Sequence, residues 1–132
     1  MNLPSVDIKD ILVAHGSLSL VFGTDLFIGK EPTAPDNCVT IFDTPGYPPD
    51  KFHDQSVSYE RPSIQIRVRG NSYLTTGALI DSIKNVLHNS GPEVWNGTIY
   101  SSIFCSQEPA LLDWDQNDRA RFVTTFEIQR HE

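Results

Sequence analysis

With 132 residues the chain has room for one hydrophobic core and not for two. Its 39% hydrophobic and 20% charged residues exclude a disordered segment. Ten Lys and Arg against 17 Asp and Glu, a net charge of −7, exclude a protein that coats nucleic acid through a clustered basic surface. Cys38 and Cys105 stand far apart with no metal or redox spacing, each in a strand-like run with apolar neighbours, and read as buried free thiols. The charges and proline of the first ten residues do not fit a signal peptide, and no apolar run approaches the ~20 residues that cross a bilayer. Synthesis and folding in a cytoplasm are expected, which leaves the Asn96-Gly97-Thr98 sequon without meaning.

In chain order, residues 4–15 read as a short helix. Pro4 suits its first turn, Asp7 complements its positive end and Gly16 suits a left-handed stop. Ile8, Ile11, Leu12 and His15 share its apolar face, and His15 is expected to act structurally against the negative helix end. Two short strands follow, at about 25–29 and 38–42, and Glu31-Pro32-Thr33-Ala34-Pro35-Asp36-Asn37 reads as a turn-rich hairpin connection between them. Gly23 to Lys30 fails as a phosphate loop, because Glu31 stands where Ser or Thr must bind magnesium.

Residues 43–57 read as a long loop, semi-rigid because Pro45, Pro48 and Pro49 limit its freedom, with Tyr47 and Phe52 as apolar anchors. It suits an arm folded over a neighbour or packed on its own domain. His53-Asp54 has no nucleophile beside it and reads as a solvated pair.

From Tyr59 to Gly70 the chain alternates. Ile64, Ile66 and Val68 face one way and Gln65, Arg67 and Arg69 the other, the period of a strand with one dry side. Gly70-Asn71-Ser72 breaks this strand and supplies the cap of a helix over 71–89. At 100° per residue Thr76, Leu79, Ile80, Ile83, Val86 and Leu87 fall on one side of that helix. Fully burying each large aliphatic is worth ~1.5–3 kcal/mol, so the helix must pack on the sheet. His88 lies off that arc and is expected in solvent, and Asn89-Ser90-Gly91-Pro92 ends the helix.

The remainder predicts a strand at 98–106, a loop at 107–118 and a long strand at 119–130. Asp113, Asp115 and Asn117 have the spacing of calcium-loop ligands, but Asp118 replaces the required Gly and Thr124 the bidentate Glu, so the loop reads as an acidic turn. All six arginines (Arg61, Arg67, Arg69, Arg119, Arg121 and Arg130) lie in or beside the third and fifth strands, and Arg67, Arg69, Arg119 and Arg121 fall on the wet face. Two readings stay open: cross-strand pairing with Glu127 or Glu60, and guanidinium forks aimed at carboxylates of a neighbouring subunit. The elements add to an α+β fold, one domain over 1–132. It is mainly an antiparallel sheet of about five strands with two helices on one face, in the order α-β-β-β-α-β-β.

Leu26-Phe27-Ile28-Gly29, Pro35-Asp36-Asn37-Cys38-Val39, Asp43-Thr44-Pro45-Gly46-Tyr47-Pro48-Pro49 and Tyr59-Glu60-Arg61-Pro62-Ser63-Ile64-Gln65-Ile66-Arg67-Val68-Arg69 resemble, in that order, a family of bacteriophage minor capsid proteins. In element order the chain is similar to the tail terminators of long-tailed, non-contractile phages. The resemblance covers most of the chain and brings no catalytic motif, no cofactor and no metal. It implies a virion protein that assembles with itself, typically as a six-membered ring, on the head-proximal end of the tail tube. Its implied partners are the tube protein and the head–tail connector or stopper, with DNA passing through an acidic lumen. From loop length and charge we place the subunit contacts at Pro45, Gly46, Tyr47, Pro48, Phe52, Arg67, Arg69 and Arg121. The nearest rival is a head-completion or stopper protein on the connector side of the neck. A small hydrolase is disfavoured, since His15, His53 and His88 scatter over three predicted elements. A cytoplasmic small-ligand-binding α+β domain would need a cluster of convergent polar groups in an apolar pocket, and the sequence presents none.

Overall fold

The structure is a computed structural model and describes residues 1–51, 58–88 and 91–132. Its elements run α1 (Pro4–Ala14), a short 3-10 turn (Gly16–Leu18), β1 (Leu26–Ile28), β2 (Cys38–Lys51), β3 (Ser58–Gly70), α2 (Tyr73–Leu87), β4 (Glu93–Trp95), β5 (Thr98–Trp114) and β6 (Ala120–His131). The six strands make one sheet in the order β1-β2-β3-β6-β5-β4.

The dry side of β3 behaves as its alternation predicts. Ile64, Ile66 and Val68 are buried, opposite Phe126, Thr124 and Phe122 of β6 and joined through Ile66 and Val68 to Ile41 and Val39 of β2. Ile8, Ile11 and Leu12 of α1 and Ile80, Ile83 and Leu87 of α2 close over this face in one core. Ser72 caps α2 by accepting from the Thr75 amide at 3.4 Å. Neither helix is long and apolar enough to cross a membrane.

Several expectations are corrected. The strands at 26–28 and 38–41 are not a hairpin, because β1 pairs with β2 in parallel, Leu26 beside Val39 and Ile28 beside Ile41. The connecting segment turns back along the sheet and is clasped there by two arginines. The described part of 43–57 is strand, since β2 continues to Lys51 against β3, slipping register between Thr44 and Tyr47 and again between Tyr47 and Asp50. Past Ile41, β1 no longer covers β2. The prolines therefore sit on an edge, where a missing N–H costs no ladder bond. Phe52, His53 and Asp54 lie outside the described residues, as do Asn89 and Ser90.

The predicted loop at 107–118 is likewise mostly strand. β5 runs to Trp114 through three slips after Cys105, which accommodate Pro109, and only a turn at 115–118 remains before β6. A short extra strand, β4, joins β5 through Asn96-Gly97, both with positive φ (51° and 79°) and with Trp95 opposite Thr98. That is the primed two-residue hairpin which Asn-Gly favours.

His15 is exposed and lies just past α1 rather than on its buried face. His88 is half-buried, not solvated, because its Nδ1 accepts from the Cys105 amide at 3.0 Å and its ring meets Phe104. Both thiols are free. Cys38 is buried, which pushes its thiol pKa up, whereas Cys105 is only half-buried.

Candidate functional site

Two separate places carry the residues singled out from the sequence. The first is the β2–β3 hairpin arm. Pro45, Gly46, Tyr47 and Pro48 are exposed there, Tyr47 to 65%. Gly46 presses against β3 so closely that an added Cβ would lie 2.8 Å from Pro62 Cα and overlap the Arg61 carbonyl, so no other residue fits without parting the strands. Beside this crossing a hollow of about 250 Å³ opens between Tyr47, Arg61, Pro62, Ser63 and Glu127.

The second place is the face of the sheet opposite the helices. Arg69 and Arg121 stand side by side across β3 and β6, with Arg67 one pair along. Six residues separate Arg61, opposite Tyr47, from Arg67, so the arm is roughly 20 Å away along the strand. The predicted site is thus two sites.

The arginines of this face are engaged within the chain. Arg69 is 3% exposed, against the expected wet position. Its guanidinium pairs with Glu31 at 3.1 Å and donates to the carbonyls of Pro32, Pro35 (2.6 Å) and Asp36 (3.3 Å). Arg119, also buried, pairs with Asp115 at 2.7 Å and Asp36 at 3.2 Å and donates to the Thr33 carbonyl. Together they fasten the 31–36 segment to the sheet. Arg121 grips both carboxylate oxygens of Asp113 and reaches Glu31 at 3.4 Å. This fork holds the Asp113 carboxyl below its ordinary pKa. Arg67 is half-buried, donating to Gln65 at 2.9 Å with its guanidinium 4.9 Å from the Phe42 ring centre. Between Glu31, Arg69, Trp114, Arg119 and Arg121 lies an open cleft of about 410 Å³.

Sequence reasoning set Glu60 and Glu127 against the wet-face arginines, whereas Glu60 pairs with Arg130 at 2.8 Å, and it missed Glu31 and Asp113. Both lie in stretches read as loops, so no strand period announced them. It also missed a buried polar knot in the helix-side core. Asp7, fully buried, accepts from the Tyr100 hydroxyl and from Asn96 at 2.6 Å, with Arg130 at 3.8 Å. Burial first, and Asp7 next, push the Tyr100 hydroxyl pKa well up. A third omission is β5, whose Phe104, Leu111, Leu112 and Trp114 are exposed. This arrangement of an arm, a strapped sheet face and an apolar strand is suited to binding other polypeptide surfaces.

Residues 15–132 match the family model described as Bacteriophage tail terminator protein. Among solved structures, a chain from the virion of a native gene transfer agent particle is similar over 98% of this chain and 96% of that one. Its TM-score is 0.67 at 12% identity, a likeness of fold. No curated protein matches.

Proposed function

Because the chain belongs to the bacteriophage tail terminator family and is thus a structural protein of the virion, we propose that it closes into a ring on the head-proximal end of the tail tube. There it stops tube growth and presents its opposite face to the head connector. The observation that carries this reading is the extent of the family match, which takes in the arm, both long helix-packed strands and the β5–β6 hairpin. The similar chain from a virion particle supports a place in an assembled particle.

The mechanism is geometric and needs no chemical step. A ring that binds the tube end through one face and offers a different opposite face leaves nothing for the next tube subunit to bind. Closure by rotation requires two different patches on each subunit. At ~800 Å² a patch, these would take roughly a fifth of the 7199 Å² surface. Pro45, Tyr47 and Pro48 on the arm and the outer parts of Arg67 and Arg121 are our contact residues. Gly46 acts by seating the arm, and Arg69 by holding the 31–36 segment from beneath. Phe52 belongs with the arm in this proposal. The net charge of −7 suits a lumen that lets DNA pass.

Deleting the gene tests the proposal. Overlong tails without heads are expected in electron micrographs. Tails of normal length joined to heads would overturn it.

A further inference from the structure

Both ends of the sheet are left half-covered. β1 covers β2 only from Val39 to Ile41, so among the described residues 43–51 have no strand on their outer side. At the other end β4 covers β5 only from Thr98 to Tyr100, and the Cys105 amide is taken by His88. That leaves residues 106–114, among the described residues, with no strand on their outer side. The two free runs are each nine residues long and lie on opposite sides of the molecule.

The geometry points to these edges as partners: the β2–β3 arm of one copy lies along the free edge of β5 in the next copy. This rests on the ring reading above, takes the arm as one contact patch, and adds the β5 edge as the surface that receives it. The strands alternate in direction from β2 through β3 and β6 to β5. Copies related by a ring axis keep one orientation, so the added pair is antiparallel, like its neighbours in the sheet.

Both edges carry exposed apolar side chains. The arm presents Tyr47 and Pro45, while β5 presents Leu112 and the outer part of Trp114, whose ring stacks on Tyr73. Pro45, Pro48 and Pro49 on one edge and Pro109 on the other break the available backbone donors into short runs. Indiscriminate pairing is thereby discouraged, and side-chain fit must choose the partner.

The two edges also differ in height. Tyr47 lies level with Ser102, whereas the free run is centred near Ala110, about eight residues further on, a stagger of roughly 25 Å. Such a stagger tilts the strands relative to the axis, which closing a sheet on itself demands.

Cysteine pairing in assembled particles is the test. Tyr47→Cys and Leu112→Cys are introduced together in a Cys105→Ser background, where the remaining Cys38 is buried. Mild oxidation should give a ladder of multimers on non-reducing gels, ending at the ring size. Either substitution alone should give none. Pro48→Cys with Leu111→Cys, in the same antiparallel register, provides a second pair should the first disturb folding. With wild-type particles, hydrogen exchange at residues 106–114 should slow at least tenfold relative to the free chain. Rings present at the neck with no ladder from either pair and unchanged exchange would overturn the inference and leave the terminator reading standing. Absence of the protein from the neck would remove that reading, and this inference with it.

Discussion

Replacing Arg69 by Leu separates two roles that the sequence left open for it. Its guanidinium is 3% exposed and holds Glu31 and three loop carbonyls. Leucine fills part of the volume but leaves those carbonyls without their donor and weakens the compensation of a half-buried Glu31. Breaking a buried pair by removing one partner costs ~3–5 kcal/mol. With a urea dependence of ~2 kcal/mol/M, the unfolding midpoint should fall by about 1.5–2.5 M. Arg67→Leu, which removes one side-chain hydrogen bond and a cation–ring contact, should cost under ~1.5 kcal/mol and provides the control. Urea titration followed by tryptophan fluorescence reads both. An Arg69→Leu protein as stable as wild type but unable to join particles would refute this reasoning, for Arg69 would then be a contact residue and not a clasp.

Three further outcomes are expected. Tyr100→Phe removes the hydroxyl that Asp7 accepts from in the buried knot, and should lower stability by ~1–3 kcal/mol in thermal or urea unfolding. Gly46→Ala should loosen the arm alone: amides at 59–61 should exchange faster by mass spectrometry, while those at 64–68 stay unchanged. Asp113 has a folded pKa below its unfolded value because Arg121 binds its charged form. Its contribution is therefore present above the unfolded value and disappears as pH falls through the folded one. As its side chain is 43% exposed, that contribution is only ~0.2–1 kcal/mol. Asp113→Asn should show the smaller stability loss between pH 5 and pH 2 in paired urea titrations.

The core was legible where periodicity dictates it. Ile64, Ile66 and Val68 alternate, and Ile80, Ile83 and Leu87 recur at helical spacing, because burial on one face imposes those periods. Strand direction has no such mark. The parallel pairing of β1 with β2 depends on where the 31–36 segment returns, and that is set by contacts from Arg69 and Arg119, 33 or more residues further along. Prolines misled twice, since β2 and β5 are edges on which a missing amide does little harm. Asn96-Gly97 was a readable hairpin signal, obscured by its reading as a sequon. The arginines were legible as a group but not as partners, since Glu31 and Asp113 lie in stretches that looked like loops. Asp7 suited a helix start, and nothing local in the sequence links it to Tyr100, 93 positions away.

The central claim, a ring capping the head-proximal end of the tail tube, is tested most directly by cryo-electron microscopy of the particle neck. A single closed ring of this fold is expected between tube and connector, with its six-stranded sheets arranged around an open lumen. Copies of the fold repeated along the tube, or found only at the distal tip, would contradict it.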